Sequence, residues 1–233
     1  MHTRICAFDV FGTIIDTTAM SSVLEPFCGA HAPHINQRWR QRQVEYLMRR
    51  AAMHRYVDFD TVTADALSHT LDEARVFISK RDLASICASI RQLTCHHDTH
   101  TTLQRLRTHG WRCVLFSNAT PATLDALVAH NQLTDVLDNV ISVAPFKCYK
   151  PHPDVYRALA GTCGVRRDRI WLASGNHWDV TGAIHAGLHG AWIAAAELPD
   201  MRWDDVPVDV RVPSLTTLAD YLTTQVIYTS DDD

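Results

Sequence analysis

Four short segments place polar residues where reactive groups could meet. In FDVFGT, Asp9 closes an apolar run, and Gly12 and Thr13 follow in a turn. A carboxylate there sits where an open α/β sheet presents its reactive groups, although an isolated aspartate can equally cap the turn. FSNAT puts Ser117 and Asn118 at an equivalent edge, where their dipoles could bind an anion. YKPHPDVY places Lys150 ahead of a helix start, able to neutralise and orient a buried carboxylate or to remain a solvated surface lysine. In LASGNHWDVTGAIHAG, Ser174, Asn176 and Asp179 follow another apolar run, and Asp179 could again be only a cap. Each piece alone is ambiguous; their order along the chain is what carries meaning.

The elements that must position these residues can be read from hydrophobic period. Ile5–Val10, Cys113–Ser117, Val140–Val143, Ile170–Ala173 and Ala191–Ala194 are short apolar runs rich in β-branched residues, expected as buried parallel strands. Between them, Thr101–His109, Pro121–His130 and Asp154–Cys163 read as helices. The first stops at Gly110 and the second starts on a proline. This alternation predicts an α/β fold with a doubly wound, Rossmann-like parallel sheet that binds ligands at the carboxyl ends of its strands. Residues 19–97 break the rhythm. They carry helical signals (Gln37–Arg55, Asp65–Asp72, Asp82–Leu93) and little strand signal, so an all-helical cap is expected there, inserted into a core of residues 1–18 and 98–225. The tail Thr229–Asp233 ends in three aspartates and is expected to fray.

Composition narrows the function classes. The 233 residues are 46% apolar, enough for a packed core, and the net charge of −4 lacks the basic footprint of a nucleic-acid binder. No apolar run is long enough for a membrane span, and the first residues run straight into a strand without a signal-peptide pattern. Seven scattered cysteines, odd in number and without a CxxC pair, suit reduced thiols in the cytoplasm.

The order D…S…K…D, with a helical insert between the first two segments, resembles the haloacid dehalogenase superfamily. The likeness extends to its type II (S)-2-haloacid dehalogenases through DVFGT, WRQRQVEY, SNATP, YKPHPDVY and SGNHWDVTGA. The WRQRQVEY segment of the cap is the telling one, because phosphatases of the superfamily do not share it. The resemblance implies hydrolytic dehalogenation of a small 2-haloacid, without metal or cofactor, in a homodimeric protein. It makes Asp9 the nucleophile with Thr13 hydrogen-bonded near it. Arg40 would bind the departing halide or the substrate carboxylate, and Ser117 and Asn118 would hold that carboxylate. Lys150 would balance the charge of Asp9, and Tyr156, Ser174 and Asn176 would support the network. Asp179 would position or activate the hydrolytic water. Val10, Phe11, Gln41, Val44, Phe59 and Trp178 would line the pocket.

Two positions depart from the family pattern: Phe11 stands where a tyrosine is usual, and Gly175 where a second serine is. Both bear on a rival reading as a phosphatase, which would want an acid at position 11 and an acidic metal ligand near position 175. A related hydrolase opening a strained ring, of the azetidine-2-carboxylate hydrolase kind, would use the same covalent aspartate but need a proton donor for the amine. The CHHDTH run, Cys95–His100, has enough ligands to suggest a metal but lacks a second ligand pair at finger-like spacing.

Overall fold

The computed structural model describes residues 3–194 and 207–228, with side chains to residue 224. The tail Thr229–Asp233 lies outside these residues. Six parallel strands form one sheet: β1 (Arg4–Phe8), β2 (Trp111–Ser117), β3 (Asn139–Ser142), β4 (Ile170–Ser174), β5 (His189–Ile193) and β6 (Val210–Val212). Their order is β3-β2-β1-β4-β5-β6, a doubly wound arrangement in which the order of strand addition reverses between β1 and β4. The strands are buried on both faces because helices cover both, hence their unbroken apolar runs. Phe8 is in register with Leu115 of β2 and Ala173 of β4, so the chain ends of three strands meet at one edge. Asp9, Ser117 and Ser174 stand at that edge.

Helices α5 (Thr99–Thr108), α6 (Pro121–His130), α7 (Pro153–Cys163), α8 (His177–His185) and α9 (Leu215–Tyr228) surround the sheet. The Thr120 hydroxyl accepts from Thr123 N at 3.3 Å to cap α6, and Gly164 ends α7 at φ 68°. Between β1 and β2 lies a layer of helices: α1 (Met20–Cys28), α2 (Ala32–Ala52), α3 (Phe59–Glu73) and α4 (Lys80–Ser89). Asp58 caps α3, accepting from Thr61 N at 2.8 Å, and Ser79 caps α4, accepting from Asp82 N at 3.1 Å. The chains entering and leaving this layer pair with each other. Asp16 N donates to Thr94 O at 3.1 Å, and His96 N donates to Ile14 O at 2.9 Å. Further out, Asp60 of α3 accepts from the hydroxyls of Thr120 (3.2 Å) and Thr123 (3.0 Å) and from Arg91 (2.9 Å). The Tyr149 hydroxyl donates to the carbonyl of Val57. The helical layer is thereby tied to the two loops that carry Ser117–Asn118 and Lys150. No helix among the described residues is long and apolar enough to cross a membrane.

Candidate active site

Asp9 follows β1 directly and is 6% exposed. Its two oxygens are treated differently. Oδ2 accepts from Asn176 Nδ2 at 2.8 Å, from the Thr13 hydroxyl at 3.0 Å and from the Ser174 hydroxyl at 3.4 Å. Among the described residues, Oδ1 accepts only from Lys150 Nζ, at 3.1 Å. A carboxylate oxygen has two lone pairs, so Oδ2 is saturated while Oδ1 keeps one free. The turn that delivers Thr13 depends on Gly12 at φ 80°, a conformation costly to a residue with a Cβ. Thr13 Oγ1 also accepts from Gly175 N at 2.9 Å, which binds the first loop to the fourth.

Lys150 is buried between two carboxylates. Nζ donates to Asp9 Oδ1, to Asp179 Oδ2 at 2.9 Å and to the Phe116 carbonyl at 2.6 Å, matching its three hydrogens to three acceptors. Burial disfavours the ammonium, but Asp179 and Asp9 together outweigh that effect and hold its pKa above the usual lysine value. Burial also raises the pKa of Asp179, with the charge of Asp9 acting in the same direction and Lys150 opposing it. Tyr156 donates to Asp179 Oδ1 at 2.6 Å, and burial beside Asp179 pushes its own pKa well up, so it remains a donor. Asn118 Oδ1 accepts from Lys150 N at 2.9 Å, fixing the lysine's backbone. Ser117 Oγ accepts from Ala119 N at 3.2 Å. Neither the Ser117 hydroxyl hydrogen nor the Asn118 amide nitrogen has an acceptor among the described residues, so both remain available to an anion.

The helical layer supplies the opposite wall. Arg40 lies with Cζ 5.7 Å from the centre of the Phe11 ring, and Phe11 stacks on Phe59 with centroids 5.5 Å apart and planes 12° from parallel. Desolvation lowers the pKa of Arg40 while Asp9 raises it, and an arginine starts so high that it stays charged. Its guanidinium donates to Gln43 Oε1, and Gln43 in turn donates to the Thr63 hydroxyl. A small cavity of about 20 Å³ is lined by Phe11, Phe59, Met20, Trp39, Ile90 and Leu93, with Thr17, Asn36, Arg40 and Gln43 as its polar members.

Some expected pocket residues stand elsewhere. Gln41 is exposed and accepts from Arg38 at 3.2 Å, because α2 turns it away from the wall that holds Arg40. Gln43 takes that place in the lining. Val44 and Trp178 are half-buried and outside the cavity lining. Val10 is buried, and its carbonyl accepts from the N–H groups of Thr13, Ile14 and Ile15. Its role is to shape the turn. Asn36 and Gln43, at spacings of four and three from Arg40, were not among the expected pocket residues, and Trp39 reads in the sequence only as part of the apolar face of the helix.

A divalent cation does not fit this donor set. The two carboxylates that would bridge it, Asp9 and Asp179, are bridged by the Lys150 ammonium instead. A third acid at position 175 is barred, because a Cβ there would lie 2.2 Å from the Gly12 carbonyl oxygen. A hard cation wanting about six oxygen ligands has no such set here. Nor does the CHHDTH run converge: no group of three or more His, Cys, Asp or Glu residues among those described could hold a metal. Its side chains make local ties, as where Asp98 accepts from Thr216 N at 3.2 Å.

The model of the haloacid dehalogenase-like hydrolases matches residues 3–187. The chain is 33% identical to the (S)-2-haloacid dehalogenase of Pseudomonas sp. (strain YL), over 80% of this chain and 81% of that one. It is 36% identical to the (S)-2-haloacid dehalogenase of Xanthobacter autotrophicus, over 80% of this chain and 73% of that one. Among solved structures, the L-2-haloacid dehalogenase from Xanthobacter autotrophicus with chloropropionic acid covalently bound superposes with a TM-score of 0.87. That match has 30% identity and covers 94% of this chain and 98% of the other. With its four polar loops gathered at one sheet edge, this chain belongs to the haloacid dehalogenase-like hydrolase family.

Proposed function

We propose that this protein hydrolyses (S)-2-haloalkanoic acids to (R)-2-hydroxy acids through an ester on Asp9, without a metal ion. The observation that carries the reading is the asymmetry of Asp9. Oδ1, with a free lone pair, attacks C2 from the side opposite the halogen. A halide leaves without needing a proton, so the phenyl ring at position 11 is no obstacle. Arg40 stabilises the charge that develops on the halide or anchors the substrate carboxylate. Ser117 and Asn118 hold that carboxylate with their unused donors. Once Oδ1 is esterified, Oδ2 is the ester carbonyl oxygen and already has three donors around it. They form a ready oxyanion hole for water attacking the carbonyl carbon. Asp179, ionised and held by Lys150 and Tyr156, orients or activates that water.

The helical layer, residues 19–97, serves as a cap over a core of residues 1–18 and 98–225. The seven cysteines, all unpaired, support a place in the reducing cytoplasm. Phe77, 87% exposed at the edge of the helical layer, supports a homodimer joined through the cap.

The test is (S)-2-chloropropanoate with chiral analysis of the product. The expected result is (R)-lactate, formed by a single inversion, at a rate unchanged by a chelator. Retention, or loss on chelation that Mg²⁺ restores, would overturn the reading. A second expectation concerns pH. Asp179 serves water only when ionised, and burial raises its pKa, so ester hydrolysis should be lost as pH falls through a value above the ordinary aspartate figure of about 3.9. Single-turnover rates between pH 4 and 8 would show this, and a rate unchanged down to the ordinary value would remove Asp179 from the step. On the alkaline side, the raised pKa of Lys150 keeps it charged, so it should impose no limb below the usual lysine range.

A further inference from the structure

On the face of α2 that carries Arg40, one buried polar atom has no partner. Asn36 stands one helical turn before Arg40, lines the same cavity and is 6% exposed. Its Nδ2 donates to the Thr17 carbonyl at 2.9 Å and to the Ser21 hydroxyl oxygen at 3.3 Å. Its Oδ1 is shielded from solvent and meets no donor among the described residues. Turning the amide round does not cure this. The exchange would set Oδ1 against the Thr17 carbonyl, acceptor against acceptor. The acceptor is therefore fixed in place by the chain that enters the helical layer. Gln43, the other amide in the cavity, is fully committed to Arg40 and Thr63. Most of the remaining wall is apolar: Met20, Trp39, Phe59, Ile90 and Leu93. A lone buried acceptor in such surroundings calls for a donor from a bound molecule.

We propose that Asn36 Oδ1 is a specificity-determining acceptor, which favours 2-haloacids bearing a hydroxyl on C3 over those with an alkyl group there. This rests on the dehalogenase reading above. Side chains at i and i+4 of a helix start about 5–6 Å apart. A group one bond beyond the carbon whose halide meets Arg40 is thus within reach of Asn36. A C3 hydroxyl donates to Oδ1, whereas a methyl of similar size leaves Oδ1 unpaired. Sites holding a polar group for a substrate hydroxyl reject the analogue that lacks it for this reason.

The experiment compares enzyme-dependent chloride release from three near-isosteric substrates: 2-chlorobutanoate, 2-chloro-3-fluoropropanoate and 2-chloro-3-hydroxypropanoate. Fluorine withdraws electrons as a hydroxyl does but cannot donate a hydrogen bond. The wild-type protein should favour the hydroxy compound over both others by about tenfold or more in kcat/KM, equivalent to ~1.4 kcal/mol. In Asn36→Leu that preference should collapse to near unity while chlorobutanoate turnover persists. The wild-type series stands by itself if the variant fails to fold. Equal kcat/KM for the hydroxy and fluoro compounds, or an unchanged preference in folded Asn36→Leu, overturns the inference alone. No chloride from any of the three, nor from 2-chloropropanoate, overturns the dehalogenase reading and this inference with it.

Discussion

Replacing Asp9 by asparagine should abolish halide release, with a loss of roughly 10⁴-fold or more, as befits removal of a nucleophile. The geometry explains why an amide is no substitute. Oδ2 is surrounded by three donors and Oδ1 by the Lys150 ammonium. Whichever way an asparagine is turned, its NH₂ group must face another donor, and its oxygen is a poor nucleophile. The wild-type protein offers a sharper version of the test. In a single turnover in heavy-oxygen water, the label should enter the Asp9 side chain and not the hydroxy acid, because the product takes its new oxygen from Oδ1. Peptide mass spectrometry reads the first and product mass spectrometry the second. Label appearing directly in the product would mean that water attacks the substrate carbon with Asp9 as a base, and the ester would then be absent. Mass spectrometry of the Asp9→Asn variant should accompany the assay, since deamidation of the introduced amide would regenerate the wild-type residue.

What the sequence disclosed followed from how local its signals were. The strand ends were legible because parallel strands buried on both faces leave unbroken apolar runs, and a polar residue closing such a run is conspicuous. β6 was not, being only three residues, Val210–Val212, at the sheet edge and half-buried at its start. The onset of α3 at Phe59 was obscured because its cap, Asp58, sits among further acidic and β-branched residues. The pocket wall was the hardest part. Motif likeness pointed to Gln41 and Val44, whereas the lining takes Asn36 and Gln43, at spacings of four and three from Arg40, together with Trp39. Periodicity anchored on the arginine does not choose between them, because Val44 also stands four positions from Arg40. No sequence signal could show that Phe11 and Phe59, 48 positions apart, stack on each other, since that contact exists only once the helical layer lies over the sheet.

Removing the charge of Lys150 should cost both turnover and stability, and the two losses should separate under a second substitution. Lys150→Ala leaves Asp9 and Asp179 buried with no cation bonded to either. Breaking a buried ion pair from one side typically destabilises by about 3–5 kcal/mol. Turnover should fall for every halogen, because the ammonium stands beside the nucleophile in both chemical steps. The stability loss should also depend on pH in a definite direction. Burial already raises the pKa of Asp179 and Lys150 opposes that, so without Lys150 the folded form binds a proton at Asp179 more tightly than the unfolded chain does. The deficit relative to wild type should therefore be largest near neutral pH and shrink as pH falls through the raised pKa of Asp179. Lys150→Ala combined with Asp179→Asn removes one of the two stranded charges and should recover part of the stability while activity stays absent. Lys150→Arg should rescue neither property fully, since a planar guanidinium cannot direct three hydrogens from one atom to Asp9, Asp179 and the Phe116 carbonyl. Denaturant unfolding at pH 5 and pH 8 reads the stabilities, and halide release reads the turnover. If Lys150→Ala were as stable as wild type at pH 8, the ammonium would not be offsetting the buried charge of Asp9 and Asp179. The role of Lys150 in balancing the charge beside the nucleophile would then fall.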